Sequence, residues 1–254
     1  MSPAHQTHVE HVMGTVVSLH ARSEAPLGDA ITEVIRWLHD VDATYSTYRE
    51  DSAVRRLDRG ATTLQDEGAE VRWVLARCSE LSRRTEGFFD VRARDGALDP
   101  SGLVKGWALQ RGADLLTAAG ARDFCLTGGG DVVTRGAPEP GRAWQVGVQH
   151  PGDRDALAAV IEVTDLAVAT SGAYERGGHV IDPYSGRPPE GVRSVTVVGP
   201  DLGSADAFAT AAFAMGADGP DWTLTLDKGY EAMTVLDGDT VLCTPGFPPI
   251  QAAA

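Results

Sequence analysis

Asp206 and Thr210 stand four residues apart in a stretch, Ser204 to Met215, that reads as a helix. That spacing puts both side chains on one face, one turn from each other. A carboxylate and a hydroxyl converging there suit a hard, oxygen-liganded cation such as Mg2+. The competing reading is structural: a carboxylate in the first helical turn complements the helix dipole, and Thr210 packs. His179 follows Gly177-Gly178, where the backbone is permissive, and Asp182 lies three residues on. Imidazole is the side chain most easily poised as a base near neutral pH, and Asp182 is placed to orient it. A hydrogen-bonded structural histidine is the alternative. Lys105 is one of two lysines in the chain, the other being Lys228. At a helix entrance beside Gly106 it suits an anion contact, and equally a solvated surface position.

Thr127-Gly128-Gly129-Gly130-Asp131 lies between two strand-like runs. Glycines let backbone approach a ligand closely and adopt φ > 0, so these N–H groups could cradle a phosphate. A tight inter-strand turn needs the same residues. Thr170-Ser171-Gly172 ends another strand and suits either a ligand-facing turn or an ordinary one. Tyr48, Trp107, Trp144 and Tyr174 could stack on a planar ring, or pack in the core and its rim.

The elements that must position these residues follow from hydrophobic period. A strand is expected over His11 to His20, starting near Met13-Gly14-Thr15. Ile31, Val34, Ile35, Leu38 and Val41 repeat at three and four, which predicts a helix from Leu27 to Tyr45. Ser52 caps a short helix carrying Val54 and Leu57. Val71, Val74, Leu75, Cys78 and Leu81 predict a helix over Glu67 to Thr85. Another helix is expected from about Lys105 to Ala119, stopped by Gly120. Short strands follow at Phe124–Leu126, Val132–Thr134, Gln145–Val148, Ala158–Val163, Ala167–Thr170 and Val195–Val198. Gly216 ends the Ser204–Met215 helix, and Leu224–Leu226 is a short apolar segment. Ala232–Leu236 and Thr240–Thr244 form a hairpin around Asp237-Gly238-Asp239. Residues 1–244 are expected to be one continuous α+β unit with two mixed lobes around a cleft, followed by an irregular tail over 245–254.

The chain has 254 residues, with 22 Lys and Arg against 36 Asp and Glu, a net charge of −14. Phosphate backbones demand a basic surface, so nucleic acid is not expected as a partner. No run of about 18 apolar residues exists, so no membrane span is expected. The three cysteines lie far apart, which argues against a disulfide framework or a cysteine zinc site. The N-terminal residues show neither a basic-then-apolar leader nor a lipid-anchor cysteine, and the expectation is a cytoplasmic protein. An acidic protein that binds an anionic substrate must offset repulsion with amides, a few cationic side chains or a metal ion.

Taken in order, these segments resemble the FAD:protein FMN transferase family, the ApbE-like flavin transferases. The matching residues are Met13-Gly14-Thr15, Ser46-Thr47-Tyr48 with Asp51-Ser52, Gly87-Phe88-Phe89-Asp90 and Leu103-Val104-Lys105-Gly106-Trp107-Ala108. Further on come Gly129-Gly130-Asp131-Val132, Trp144-Gln145-Val146-Gly147-Val148 with Pro151, and Ala169-Thr170-Ser171-Gly172. The series closes with His179-Val180-Ile181-Asp182-Pro183, Gly186, and Ala205-Asp206-Ala207 with Thr210. The resemblance implies that FAD binds in the cleft as substrate. With Mg2+, its FMN moiety passes to a threonine or serine hydroxyl of an acceptor protein, and AMP is released. It implies that the Val104 segment, Asp206 and Thr210 hold the metal. It places His179 near the reacting phosphates; we expect His179, oriented by Asp182, to accept the proton of the incoming hydroxyl, and Lys105 with the Gly128–Gly130 amides to hold phosphate oxygens. Met13, Tyr48, Lys105, Gly128, Gly129, Gly130, Asp131, Thr170, Ser171, Gly172 and His179 are then the nucleotide contacts.

The chain departs from the family pattern in a short interval from Asp90 to Lys105. Gln110, Ala53 and Asp58 also stand where an acid, a glutamate and an asparagine are usual. Two other activities fit the same residues: a Mg2+-dependent FAD pyrophosphatase with water as acceptor, and a non-catalytic FAD-binding protein.

Overall fold

The computed structural model describes residues 4–92, 96–173 and 180–251. β1 (Ala4–Val12) and β2 (Thr15–Ser23) form an antiparallel hairpin around Met13-Gly14. Both turn residues have positive φ, 54° and 67°, as a two-residue turn matched to the strand twist requires. The single strand expected over His11 to His20 is therefore two. Polar residues on both faces of β1 hide the alternation that would have marked it.

α1 (Gly28–Tyr45) buries Ala30, Val34, Leu38, Val41 and Tyr45 along one stripe. Ser52 accepts from the Arg55 N–H and caps α2 (Ala53–Asp58). α3 (Ala69–Arg84) and α4 (Ser101–Ala118) follow. α4 begins four residues before the expected start, with Pro100 at its N-cap, so Lys105 lies in the second turn and not at the helix entrance.

The sheet strands are β3 (Asp123–Gly128), β4 (Asp131–Arg135), β5 (Trp144–His150), β6 (Asp153–Val163), β7 (Ala167–Gly172) and β8 (Val192–Gly199). α5 (Leu202–Ala214) and a short α6 (Gly219–Thr223) precede the hairpin of β9 (Glu231–Leu236) and β10 (Val241–Cys243). Within the segment read as an irregular tail, β11 (Ile250–Gln251) pairs with β6. Eight strands form one sheet in the order β1-β2-β3-β4-β7-β8-β9-β10, and β11-β6-β5 form a second. All described pairings are antiparallel.

The large sheet is covered on both faces, so its central strands are buried throughout rather than alternating with solvent. Val133, Ala167, Ala169, Val195 and Val197 face the helices. Val132, Val168 and Val198 face Val146, Ile161 and Val163 of the small sheet. α4 packs on α1 and α5, and α5 lies directly on β7 and β8. This is a single mixed α/β unit, as expected. Among the described residues no helix is long and apolar enough to cross a membrane, and the three cysteines are unpaired.

The α4–α5 crossing is unusually close because glycines face it. A Cβ on Gly106 would stand 2.7 Å from the Leu202 carbonyl oxygen, and one on Gly203 would stand 3.2 Å from Leu103 Cδ1. Gln110 adds a polar tie: its Oε1 accepts the Leu202 N–H at 3.1 Å and its amide donates to Asp114 at 3.1 Å. The glutamine found where an acid is usual thus satisfies an open N–H at the start of α5.

Candidate functional site

α5 is buried on nearly every side, which is why the helix is apolar all round. Asp206 is the exception, a carboxylate only 2% exposed in the middle of that surface. Burying a charge is costly unless it has partners, so its surroundings decide its meaning. Asp201 is the N-cap, accepting the Ser204 N–H at 2.8 Å. Because α5 starts at Leu202, Asp206 lies beyond the first turn, and the dipole role belongs to Asp201. That removes the structural reading of Asp206 weighed above.

Asp206 and Thr210 open onto a cleft of about 360 Å³. Ser171, at the end of β7, reaches the same point: its Oγ lies 3.1 Å from Thr210 Oγ1. From α4, Lys105 extends its ammonium to 3.0 Å from Asp131 Oδ2 and 3.8 Å from Asp206 Oδ1. Asp131 is fully buried. Burial pushes its carboxyl above the usual carboxylate range, a rise that the adjacent Lys105 ammonium offsets only in part. Two buried carboxylates thus share one ammonium, and the polar end of the cleft carries a net negative charge if both are ionised.

The opposite wall is apolar and aromatic. It comes from the β1–β2 turn and the end of α1: Met13, Gly14, Val41, Tyr45 and Tyr48, with Asp42, Ser46 and Thr47 interspersed. Met13 adopts φ 54°, a left-handed conformation uncommon for a side chain with a Cβ, and it sits on this wall. Tyr48 is 91% exposed at the rim. Ser52 donates from its Oγ to the Ser46 carbonyl at 2.7 Å, which fixes the chain between them.

Of the residues singled out in the sequence, Met13, Tyr48, Val104, Lys105, Ser171, Asp206 and Thr210 line the cleft. Others do not. Gly128 is a packing glycine; a Cβ there would stand 2.9 Å from Leu109 Cδ1. Gly129 and Gly130, with φ 58° and 89°, form the two-residue turn between β3 and β4. That turn places Asp131 beside Lys105. Thr170 pairs its hydroxyl with that of Thr196 across the sheet at 2.9 Å, and Gly172 is buried at the end of β7. Trp107 packs edge-on against Trp37 and Tyr45, and Trp144 donates to the Arg135 carbonyl. His179 and Tyr174 lie outside the described residues. Asp182 accepts the Tyr184 N–H at 2.9 Å, and its carboxyl is held below the ordinary range by Ser185 and by backbone N–H groups of its own turn.

Ser101, Gly102, Asp42, Ser46 and Thr47 line the cleft without having been singled out as contacts. Gly102 packs closely: a Cβ there would stand 3.2 Å from Phe89 Cε2, tighter than ordinary contact, and 3.9 Å from Thr210 Oγ1. Asp58, the other departure, accepts the Leu98 N–H at 2.8 Å and pairs with Arg92 and Arg55, tying down the short segment before α4.

The sequence pattern of the ApbE family matches residues 13–95 and 92–234. A curated FAD:protein FMN transferase of Vibrio cholerae is 27% identical over 85% of this chain and 83% of its own length. One from Rhodobacter capsulatus is 31% identical over 89% of this chain, but the match spans only 42% of that longer protein. For the Salmonella typhimurium enzyme, 30% identical, the figures are 61% and 47%. In solved structures, the flavin transferase ApbE from Vibrio cholerae superposes with a TM-score of 0.83 at 23% identity, covering 95% of this chain and 97% of that one. The ApbE protein from Thermotoga maritima gives 0.82 at 22% identity, with the same coverage. With the pattern matched along most of its length and the fold shared, this chain belongs to the ApbE family.

Proposed function

We propose that the protein is a Mg2+-dependent FAD:protein FMN transferase, which moves the FMN moiety of FAD onto a threonine or serine hydroxyl of an acceptor protein and releases AMP. The observation that carries this reading is the two-ended cleft. An apolar, aromatic wall suited to a planar ring faces an oxygen-rich end with a lysine suited to a pyrophosphate. The curated relatives bearing that activity in their names support it.

The polar end fits a hard cation. Its donors are oxygens: the Asp206 carboxylate and the Thr210 hydroxyl, with Ser171 alongside and the Val104 segment on the wall. Among the described residues no cluster of three or more His, Cys, Asp or Glu could hold a metal. A site with so few carboxylates suits Mg2+, which keeps waters and binds substrate phosphates as well. Bound there, Mg2+ would neutralise pyrophosphate charge that an acidic protein otherwise repels.

The chain's own groups then have distinct tasks. The Met13–Tyr48 wall fixes the ring system, and Lys105 contacts phosphate oxygens. The acceptor oxygen bonds to the FMN-side phosphorus while the bond from that phosphorus to the bridging oxygen breaks. AMP departs with the bridging oxygen. His179 accepts the proton of the incoming hydroxyl, and Asp182 builds the turn that follows it. Such transfer depends mostly on positioning and electrostatics. His179→Ala is expected to slow transfer by roughly 10²–10⁴-fold, the usual contribution of a general base. Activity within a few-fold of the unsubstituted protein would remove it from that role.

The deciding experiment incubates the protein with FAD and Mg2+, with and without a threonine-bearing acceptor domain. Covalent flavin fluorescence on the acceptor, with stoichiometric AMP, is expected. FMN and AMP formed equally without acceptor would instead identify a pyrophosphatase, and unchanged FAD would identify a binding protein.

A further inference from the structure

A serine or threonine inside a helix can close its hydroxyl onto the helix itself. Thr32 of α1, Ser79 of α3 and Thr117 of α4 each donate to the carbonyl four residues back, at 2.9 Å. Thr210 of α5 does otherwise. Among the described residues its hydroxyl pairs with Ser171 instead, the two oxygens lying 3.1 Å apart. Ser171 is 6% exposed and stands opposite Val195 in the β7–β8 register. Strand alternation puts it on the face that carries Ala167 and Ala169 against the helices. The β7–β8 ladder thus fixes where its oxygen lies, and both hydroxyl residues line the cleft.

We propose that Ser171 is a positioning residue that accepts the Thr210 hydroxyl proton and so turns a lone pair of Thr210 Oγ1 toward a divalent cation in the cleft. This rests on the reading that Asp206 and Thr210 hold that cation. A hydroxyl has one proton and two lone pairs, and it can ligate a cation only through a lone pair. Its proton must then point elsewhere, to an acceptor whose position is already fixed. Ser171 Oγ is that acceptor. Either oxygen can donate in the metal-free protein, but a cation on Thr210 leaves one direction only. Ser171 then has its own proton left to give to an oxygen in the cleft. Partners of this kind, which touch the ligand and not the metal, set much of a site's affinity.

A positioning role predicts that Ser171 matters only while Thr210 is present. Mg2+ binding to the FAD-free protein is measured by calorimetry, with Mn2+ paramagnetic resonance as a second probe. FAD is left out because Ser171 lines the cleft, and a direct nucleotide contact would confuse the result. Ser171→Ala is expected to weaken binding by about tenfold. Thr210→Ala is expected to weaken it at least as much. The double variant should bind within about twofold of Thr210→Ala, because the serine has no ligand left to orient.

Equal affinity in Ser171→Ala and the unsubstituted protein overturns the proposal. So does a double variant several-fold weaker than Thr210→Ala, which would mean that Ser171 shapes the site or meets the metal by itself. Should Thr210→Ala bind too weakly to titrate, Ser171→Thr carries the test. It keeps a hydroxyl on the same Cβ and must hold affinity within about threefold of the unsubstituted protein. A loss as large as that of Ser171→Ala overturns the proposal. Unchanged Mg2+ binding in both Asp206→Ala and Thr210→Ala would defeat the metal-site reading itself, and the proposal with it, whereas the Ser171 results bear on the proposal alone.

Discussion

Replacing Asp206 with alanine is expected to slow flavin transfer by roughly 10³-fold or more, because a metal that neutralises phosphoryl charge contributes several kcal/mol to the barrier. The residual rate should no longer respond to added Mg2+. Stability should move the other way. In the metal-free protein Asp206 and Asp131 are both buried beside one lysine, and desolvation penalises carboxylate charge held there. Asp206→Asn keeps the shape and removes that charge. It is expected to melt no lower than the unsubstituted protein without Mg2+, and to lose the rise in melting temperature that Mg2+ gives it. A site that costs stability when empty and gains it on binding is one built for a ligand. An Asp206→Asn protein that melts lower and still transfers flavin with an ordinary Mg2+ response would show that Asp206 serves packing.

How far the sequence carried this assignment depended on which physical signal each residue left. α1 was legible because one of its faces is wet: Val34, Leu38 and Val41 recur among exposed residues. β7 was legible as a strand, but not as to which of Thr170 and Ser171 faces the cleft. Both faces of β7 are buried, so no polar alternation set its register. The structure resolves it: Ser171 meets Thr210 and Thr170 meets Thr196. Residues on one helix, such as Asp206 and Thr210, were paired by spacing alone. Lys105 and Asp131 were not, because their meeting depends on a turn closing β3 onto β4 beside α4. The three adjacent glycines suggested an anion cradle by composition, yet one packs against Leu109 and the other two make the turn. The cleft itself joins Met13, Tyr48, Lys105 and Asp206, which are far apart in the chain, and only the resemblance to a family brought them together beforehand.

Gly106→Val is expected to destabilise the protein by about 3 kcal/mol or more and to remove transfer in the fraction that still folds. In an exposed helix the substitution would gain a few tenths of a kcal/mol, since valine is the better helix former. Here α4 and α5 touch backbone to backbone. A Cβ at 106 would stand 2.7 Å from the Leu202 carbonyl oxygen and 3.0 Å from Asp206 Cβ. Neither neighbour can yield by rotating a side chain. Leu202 begins α5, and its N–H is held by Gln110 from the same face of α4. The strain must therefore separate the helices, and overpacking of this kind costs about 1–3 kcal/mol, occasionally more. Valine adds two methyl groups to the clash. For a domain of this size the melting temperature should fall by about 10 °C. Separation also carries Asp206 away from Lys105 and Ser171, so Mg2+ should no longer raise the melting temperature. Gly28→Val makes the control: it replaces another helical glycine, where an added Cβ meets nothing within 4 Å, and should leave stability and transfer nearly unchanged. If Gly106→Val melts like that control and retains transfer, the close approach of α4 and α5 is not what seats the aspartate.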